Sequence, residues 1–230
     1  MIPSIIYQCK NYIAINKPAG LLVHAADYIH SKEPTVVSWA LSHFPQIQRV
    51  GDDTTHRPGI VHRLDKETSG IMLVALTQEY FLYLKNLFAT REIQKTYWAI
   101  IHGVPVQREG TIDKPIGLKV GTTKRSVHGT KMIKEAITDY RVMRIIKRDG
   151  EEYAFVEARP RTGRTHQIRV HLAFIHTPII GDPLYGGKNN ARRALRCMLH
   201  ARALTFKTKE GVMVTVEAPI PDDFEAFIKK

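Results

Sequence analysis

Two apolar runs, Ile60-Val61 and Ile71-Met72-Leu73-Val74-Ala75-Leu76, are separated only by His62-Arg63-Leu64-Asp65-Lys66-Glu67-Thr68-Ser69-Gly70. The pattern predicts two buried strands joined by a polar turn. A fold that buries both runs must carry an acid and a base to the margin of its core. Burying an unpaired carboxylate is expensive, so such a pair is retained only where it is partnered or used. Asp65 is therefore the first candidate for chemistry. The competing reading is structural: Asp65 closes an Asx-turn by accepting the N–H of Glu67 or Thr68. Arg63 lies on the same side of an extended segment and could pair with it.

The 230 residues include 43% hydrophobic side chains, enough for a packed core, and 34 Lys and Arg against 22 Asp and Glu give a net charge of +12. That excess favours a polyanionic partner. No run reaches the ~18 apolar residues of a membrane span, and no basic-then-apolar leader opens the chain. Nucleic acid is thus preferred over a membrane. Two cysteines, Cys9 and Cys197, offer neither a disulfide framework nor zinc spacing, and His166 and His171 lack a helical metal-binding pattern. A reduced, metal-free cytoplasmic protein is the expectation, with a monomer as default.

Along the chain, Tyr12–Ile15 predicts a first strand ended by the turn Asn16-Lys17-Pro18-Ala19-Gly20. A short helix is expected from Pro34 to His43, and a polar mobile loop from Gln48 to Pro58. Thr77 caps a predicted helix with Tyr80, Leu84, Leu87 and Phe88 at i, i+4, i+7 and i+8. Strands are expected over 96–101, 135–146, 153–158, 199–206 and 212–216, and a final short helix from Asp222. Many strands without βαβ alternation predict an α+β fold with a mostly antiparallel mixed sheet and flanking helices. No repeat or linker divides it, so residues 1–230 read as one domain.

Further constellations stand out. In Arg161-Thr162-Gly163-Arg164-Thr165-His166-Gln167-Ile168-Arg169-Val170-His171-Leu172, Thr165 is the expected N-cap of a helix with Ile168, Leu172 and Ile175 inward, stopped by Pro178. Arg169 then sits where the helix dipole disfavours a cation. Either it is a solvated surface arginine, or a carboxylate or phosphate holds it bidentately. In Lys95-Thr96-Tyr97-Trp98, alternation puts Lys95 and Tyr97 on one face. Tyr97 is a half-buried strand aromatic, or a flat surface for a base with a phenol able to move a proton. Two basic clusters occupy loop-like segments: Lys119, Lys124, Arg125, Lys131 and Lys134, then Lys188, Arg192, Arg193 and Arg196. They are solvated faces or phosphate contacts, and the total charge favours the second.

The run RPGIVHRLDKETSGIMLVA at 57–75 resembles the signature of RluA-type RNA pseudouridine synthases. Asn16-Lys17-Pro18, Lys95-x-Tyr97, Lys134-x-Ala136-x-Thr138-x-Tyr140, TGRTHQIRVH at 162–171 and GDPLYGGK at 181–188 accompany it in that family's order. The resemblance covers residues 10 to 220. It implies the pseudouridine synthase fold, with a basic active-site cleft, and isomerisation of uridine in RNA without cofactor or metal. Asp65 matches the family's catalytic aspartate, Arg169 the arginine paired with it, and Tyr97 the tyrosine packed on the target base. Arg63 matches a residue that holds the flipped nucleotide. His62, Lys95, Arg164 and His166 belong to the same motifs and, with Lys124, Arg125 and Lys131, are the expected RNA contacts. Ribosomal and transfer RNA both fit.

Three departures accompany the match. The sequence is expected to open at the first strand of the catalytic domain, where many relatives carry an N-terminal S4-type module ahead of it. Ala25-Ala26-Asp27 replaces a usual Pro-Gly after Val23-His24, and His176-Thr177-Pro178 is ordered unusually. Two other classes compete. A non-catalytic RNA-binding protein would leave Asp65, Tyr97 and Arg169 without a task. A small-molecule hydrolase or lyase using Asp65 and a histidine would leave the charge unexplained.

Overall fold

The computed structural model describes residues 2–25, 33–122 and 124–229; Ala26 and Asp27 of the unusual segment lie outside them. In chain order the elements are β1 (Ser4–Gln8), β2 (Tyr12–Lys17), α1 (Val36–His43), β3 (Ser69–Ala75), α2 (Gln78–Ala89), β4 (Gln94–His102), β5 (Glu109–Asp113) and β6 (Ile116–Leu118). There follow β7 (Arg125–Ser126), β8 (Lys131–Lys134), β9 (Ile137–Arg148), β10 (Glu151–Pro160), α3 (Gln167–Phe174), α4 (Gly187–Ala191), β11 (Leu199–Lys207), β12 (Met213–Glu217) and α5 (Asp222–Lys229). The chain divides into two compact units, Met1–Gln94 with Ala201–Pro219, and Lys95–His200 with Ile220–Lys230.

In the first unit β1 and β3 flank β2, both antiparallel, and β12 pairs antiparallel with β11. All seven residues of β3 are buried, because β2 lies on one side and β11 on the other. At Gly70 the backbone adopts φ +116°, and a Cβ there would stand 2.2 Å from the carbonyl oxygen of Ala201. Only glycine permits that approach. Thr77 caps α2 by accepting the N–H of Tyr80, as its sequence predicts, and Thr35 and Ser38 form a capping box on α1.

Three expectations need correction in this unit. The strand at residue 12 is second, not first, because the exposed β1 has no apolar alternation to announce it. Ile60 makes a single bridge to Val74 and Ile60-Val61 is half-buried, so the first apolar run is not a strand. The polar stretch after Gln48 is tied down: Asp53 accepts from the backbone of His56 and from Arg57 Nε, Lys85 donates to Asp52, and Gly51 donates to Gln78.

The second unit centres on β10, paired antiparallel with β4 on one side and β9 on the other, with β5 beyond β9. A three-stranded ribbon, β7-β6-β8, stands beside it. The predicted strand over 135–146 is β9, which begins two residues later at Ile137 and runs to Arg148, while β8 ends at Lys134. The first basic cluster is corrected accordingly: Arg125, Lys131 and Lys134 sit on ribbon strands, with Lys119 and exposed Lys124 in the connection.

Helix α3 is buried nearly all round rather than along one stripe, from Gln167 through Leu172. The N-cap is His166, not Thr165, because His166 takes the left-handed φ of 58° and so ends the preceding turn. The helix stops at Phe174, ahead of Pro178, in a Schellman motif: His176, φ 61°, donates to Ala173, and Thr177 donates to Leu172. Ile175 is only half-buried.

Burial of so polar a helix is possible because its side chains are satisfied. Gln167 Nε2 donates to Ile137 O and Thr138 Oγ1, and Gln167 Oε1 accepts from Thr162 Oγ1 at 2.6 Å. His171 Nδ1 lies 2.9 Å from Thr138 Oγ1 and Nε2 3.0 Å from the carbonyl of Lys114. Burial pushes the His171 imidazole below its ordinary 6.5, outweighing the Lys114 carbonyl and Asp113, which act upward. The unfolded chain therefore takes up this proton at a higher pH than the folded one. The stabilisation is complete above pH 6.5 and is lost as pH falls below it. Melting curves from pH 7.5 to 5 should decline more steeply for the wild type than for His171→Gln; parallel declines would remove His171 as the cause.

Candidate active site

In the first unit the Asp65 turn is built from backbone. Thr68 N–H donates to Asp65 O at 3.1 Å, between buried Leu64 and Thr68. The carbonyl of Lys66 accepts from Gly20 N at 2.8 Å and from Lys17 Nζ at 3.0 Å. Lys17 has no exposed surface, and its ammonium also donates to Pro18 O at 2.9 Å and Leu21 O at 2.8 Å. Three N–H donors meet three carbonyl oxygens, which compensates the desolvation of the charge. The Asn16-Lys17-Pro18 motif is thus the clamp on the loop that carries Asp65. Lys17 was not among the predicted site residues, since a lysine at a strand end looks solvent-facing.

The expected RNA contacts in this unit divide. His62 Nε2 accepts the N–H of Leu73 at 3.0 Å, and its ring stacks on Phe88 with centroids 4.3 Å apart. It therefore fastens the motif to β3. Arg63 is exposed and lies 3.3 Å from His24 Nε2. Burial, with the Arg63 charge second, holds the His24 imidazole below its ordinary value.

In the second unit Tyr97 lies opposite Ala158 on β4 and is half-buried against the core. Lys95 Nζ donates to Thr162 O at 3.3 Å, and Arg164 Nε to Glu135 O at 2.9 Å. Arg169 is not a solvated surface arginine: 4% of its side chain is exposed and 1% of that of Asp182. Nε and Nη2 donate to the two carboxylate oxygens at 2.8 Å each. Asp182 also accepts the N–H of Leu184 and Tyr185. The bidentate carboxylate that the helix position demanded is present, and the sequence reading did not name this one. It stands in GDPLYGGK, quoted only as part of the resemblance.

Two of the four residues of the second basic cluster are committed to internal pairs. Arg193 grips Glu151 at 2.5 and 2.6 Å, and Arg196 grips Asp223 at 2.6 and 2.8 Å. Its reading as a phosphate surface is corrected for those two residues. Their carboxylates lie far away in sequence, which hides them from a local scan.

These motifs and this architecture define an RNA-modifying class, and comparison with known proteins agrees. The profile described as RNA pseudouridylate synthase matches residues 11–174, and the chain belongs to that family. It is an isomerase that converts uridine in RNA to pseudouridine. The chain is similar to the ribosomal large subunit pseudouridine synthase D of Pseudomonas aeruginosa, with 36% identity over 96% of this chain and 69% of the relative. The protein of the same name from Haemophilus influenzae is 37% identical, over 96% and 68%. The human RNA pseudouridylate synthase domain containing 1 superposes with a TM-score of 0.78 and 27% identity, over 95% of this chain and 84% of that one. The fold is thus the α+β pseudouridine synthase fold. Among the described residues, no helix is long and apolar enough to cross a membrane.

Proposed function

We propose that residues 1–230 act as one catalytic domain that isomerises a uridine of ribosomal RNA, with Asp65 as the nucleophile. The reaction breaks the N1–C1′ bond, turns the base, forms a C5–C1′ bond, and removes the C5 proton while N1 takes one up. A carboxylate at the sugar–base junction suits this chemistry, because an ionised oxygen attacks or stabilises charge while an acid cannot. Tyr97 offers a ring for the base and a phenol for the proton. Arg169, its plane fixed by Asp182, matches the arginine that the family resemblance assigns to the catalytic aspartate. The target uridine must leave its stack, a role for Arg63 and the basic surface.

The observation that carries this reading is the Asp65 turn, whose backbone is clamped by a buried ammonium while the carboxylate-bearing residue stays half-buried. A loop held so firmly presents one side chain in one place, as a nucleophile requires. The ribosomal substrate is supported by the relatives' names. The test is to incubate the protein with unmodified ribosomal and transfer RNA and map new pseudouridines by carbodiimide primer extension. New stops are expected in ribosomal RNA. Stops confined to transfer RNA would overturn the substrate, and binding without any stop would favour a non-catalytic protein.

Affinity for RNA is expected to come in part from the ribbon. Replacing Lys124 and Arg125 together by alanine should weaken binding. It should also flatten the log–log salt dependence by about 0.7–0.9 for each phosphate no longer neutralised. An unchanged slope would mean that these side chains face bulk water.

A further inference from the structure

The motif GDPLYGGK holds one residue that the chemistry above does not use. Gly181 turns the chain at φ +73°, so tightly that a Cβ would stand 1.8 Å from Arg196 O. That turn aims Asp182 at Arg169, and a few residues later places Tyr185 beneath the same guanidinium. The Tyr185 ring lies 5.2 Å from Arg169 Cζ, within cation–π range. Its hydroxyl lies 2.8 Å from His166 Nδ1 and accepts the backbone N–H of Arg125, on β7, at 3.2 Å. Its ring also packs with Ile116 of β6, Ala136 and Val170 of α3.

One side chain therefore touches the arginine, the αL residue that starts its helix, and the ribbon. The ribbon is strongly cationic: from Lys114 to Lys134 it carries Lys119, Lys124, Arg125 and Lys131 and no acidic residue. Val120, Met132 and Ile133 are exposed on it as apolar surface beside those charges.

We propose that Tyr185 is a positioning residue that couples RNA seated on the β7-β6-β8 ribbon to the setting of Arg169. The ring supports the guanidinium, and the hydroxyl anchors the ribbon. This rests on the RNA-modifying reading above. The two roles are separable. Tyr185→Phe keeps the ring and removes the hydroxyl; Tyr185→Leu removes both.

Steady-state kinetics and RNA binding across a salt series decide it. Tyr185→Phe should raise KM about fivefold, the effect of one missing hydrogen bond, with a smaller change in kcat. It should also flatten the salt slope by at least the roughly 0.7–0.9 that one neutralised phosphate supplies. Tyr185→Leu should lower kcat about tenfold in addition. A merely structural tyrosine would reduce the active fraction instead, lowering kcat and leaving KM and the salt slope alone. That result in Tyr185→Phe overturns the proposal, as does a wild-type kcat in Tyr185→Leu. If Tyr185→Leu fails to fold, Tyr185→Phe still decides the anchoring half. Wild-type protein that forms no pseudouridine would overturn the activity reading separately. Its binding slope would still report whether the hydroxyl anchors the ribbon.

Discussion

Asp65→Ala is expected to abolish pseudouridine formation, by about 10⁴-fold or more in kcat, while the protein folds and still binds RNA. Hydrogen bonds to main-chain carbonyls hold the turn. Thr68 N–H donates to the carbonyl of Asp65, and Lys17 and Gly20 hold the carbonyl of Lys66. Alanine keeps all three bonds, so the loss should fall on chemistry rather than stability. Asp65→Asn should be nearly as inactive, because an amide is isosteric but neither anionic nor nucleophilic. The measurement is single-turnover modification of the mapped uridine, with RNA affinity determined in parallel. Either variant modifying RNA within tenfold of wild type would end the assignment of Asp65 as nucleophile.

The second large effect is expected at Asp182. Removing its carboxylate takes the bidentate partner from a guanidinium in a place where only 4% of the arginine side chain meets solvent. Breaking a buried ion pair from one side costs about 3–5 kcal/mol. At about 2–4 °C per kcal/mol for a chain of this size, Asp182→Ala should melt about 6–20 °C below wild type. Modification should fall with it, since Arg169 loses the partner that fixes its plane. The double variant Arg169→Met with Asp182→Ala should regain much of that stability, because the buried guanidinium leaves together with its bidentate partner, yet stay inactive. Stability and activity would then part company in one pair of proteins. If the single variant melts like wild type, the Asp182 bond is not what holds the arginine.

The legible parts of the fold were those written in neighbouring residues. The cap of Thr77 on Tyr80 and the apolar spacing of α2 were visible because a helix links positions three and four apart. The strands β4, β10, β11 and β12 were visible from β-rich runs bounded by turns. Expectations failed where a long-range partner outvoted local pattern. Helix α3 looked amphipathic, yet Gln167, Arg169 and His171 are as buried as Ile168, because Thr138, Thr162 and Asp182 meet them. Thr165 looked like the better N-cap, but His166 takes the left-handed conformation, with its ring on Tyr185.

The site divides in the same way. By itself the order of motifs determined the family and singled out Asp65, Tyr97 and Arg169, because a chemical requirement keeps its residue types in series along the chain. Tertiary structure alone decided what steadies them: Lys17 reaches the carbonyl of Lys66 across 49 residues, Asp182 reaches Arg169 across 13, and Tyr185 reaches Arg125 across 60. Such pairings leave no periodic trace, for a buried charge is matched by whichever group the fold brings within about 3 Å, not by one at a fixed spacing.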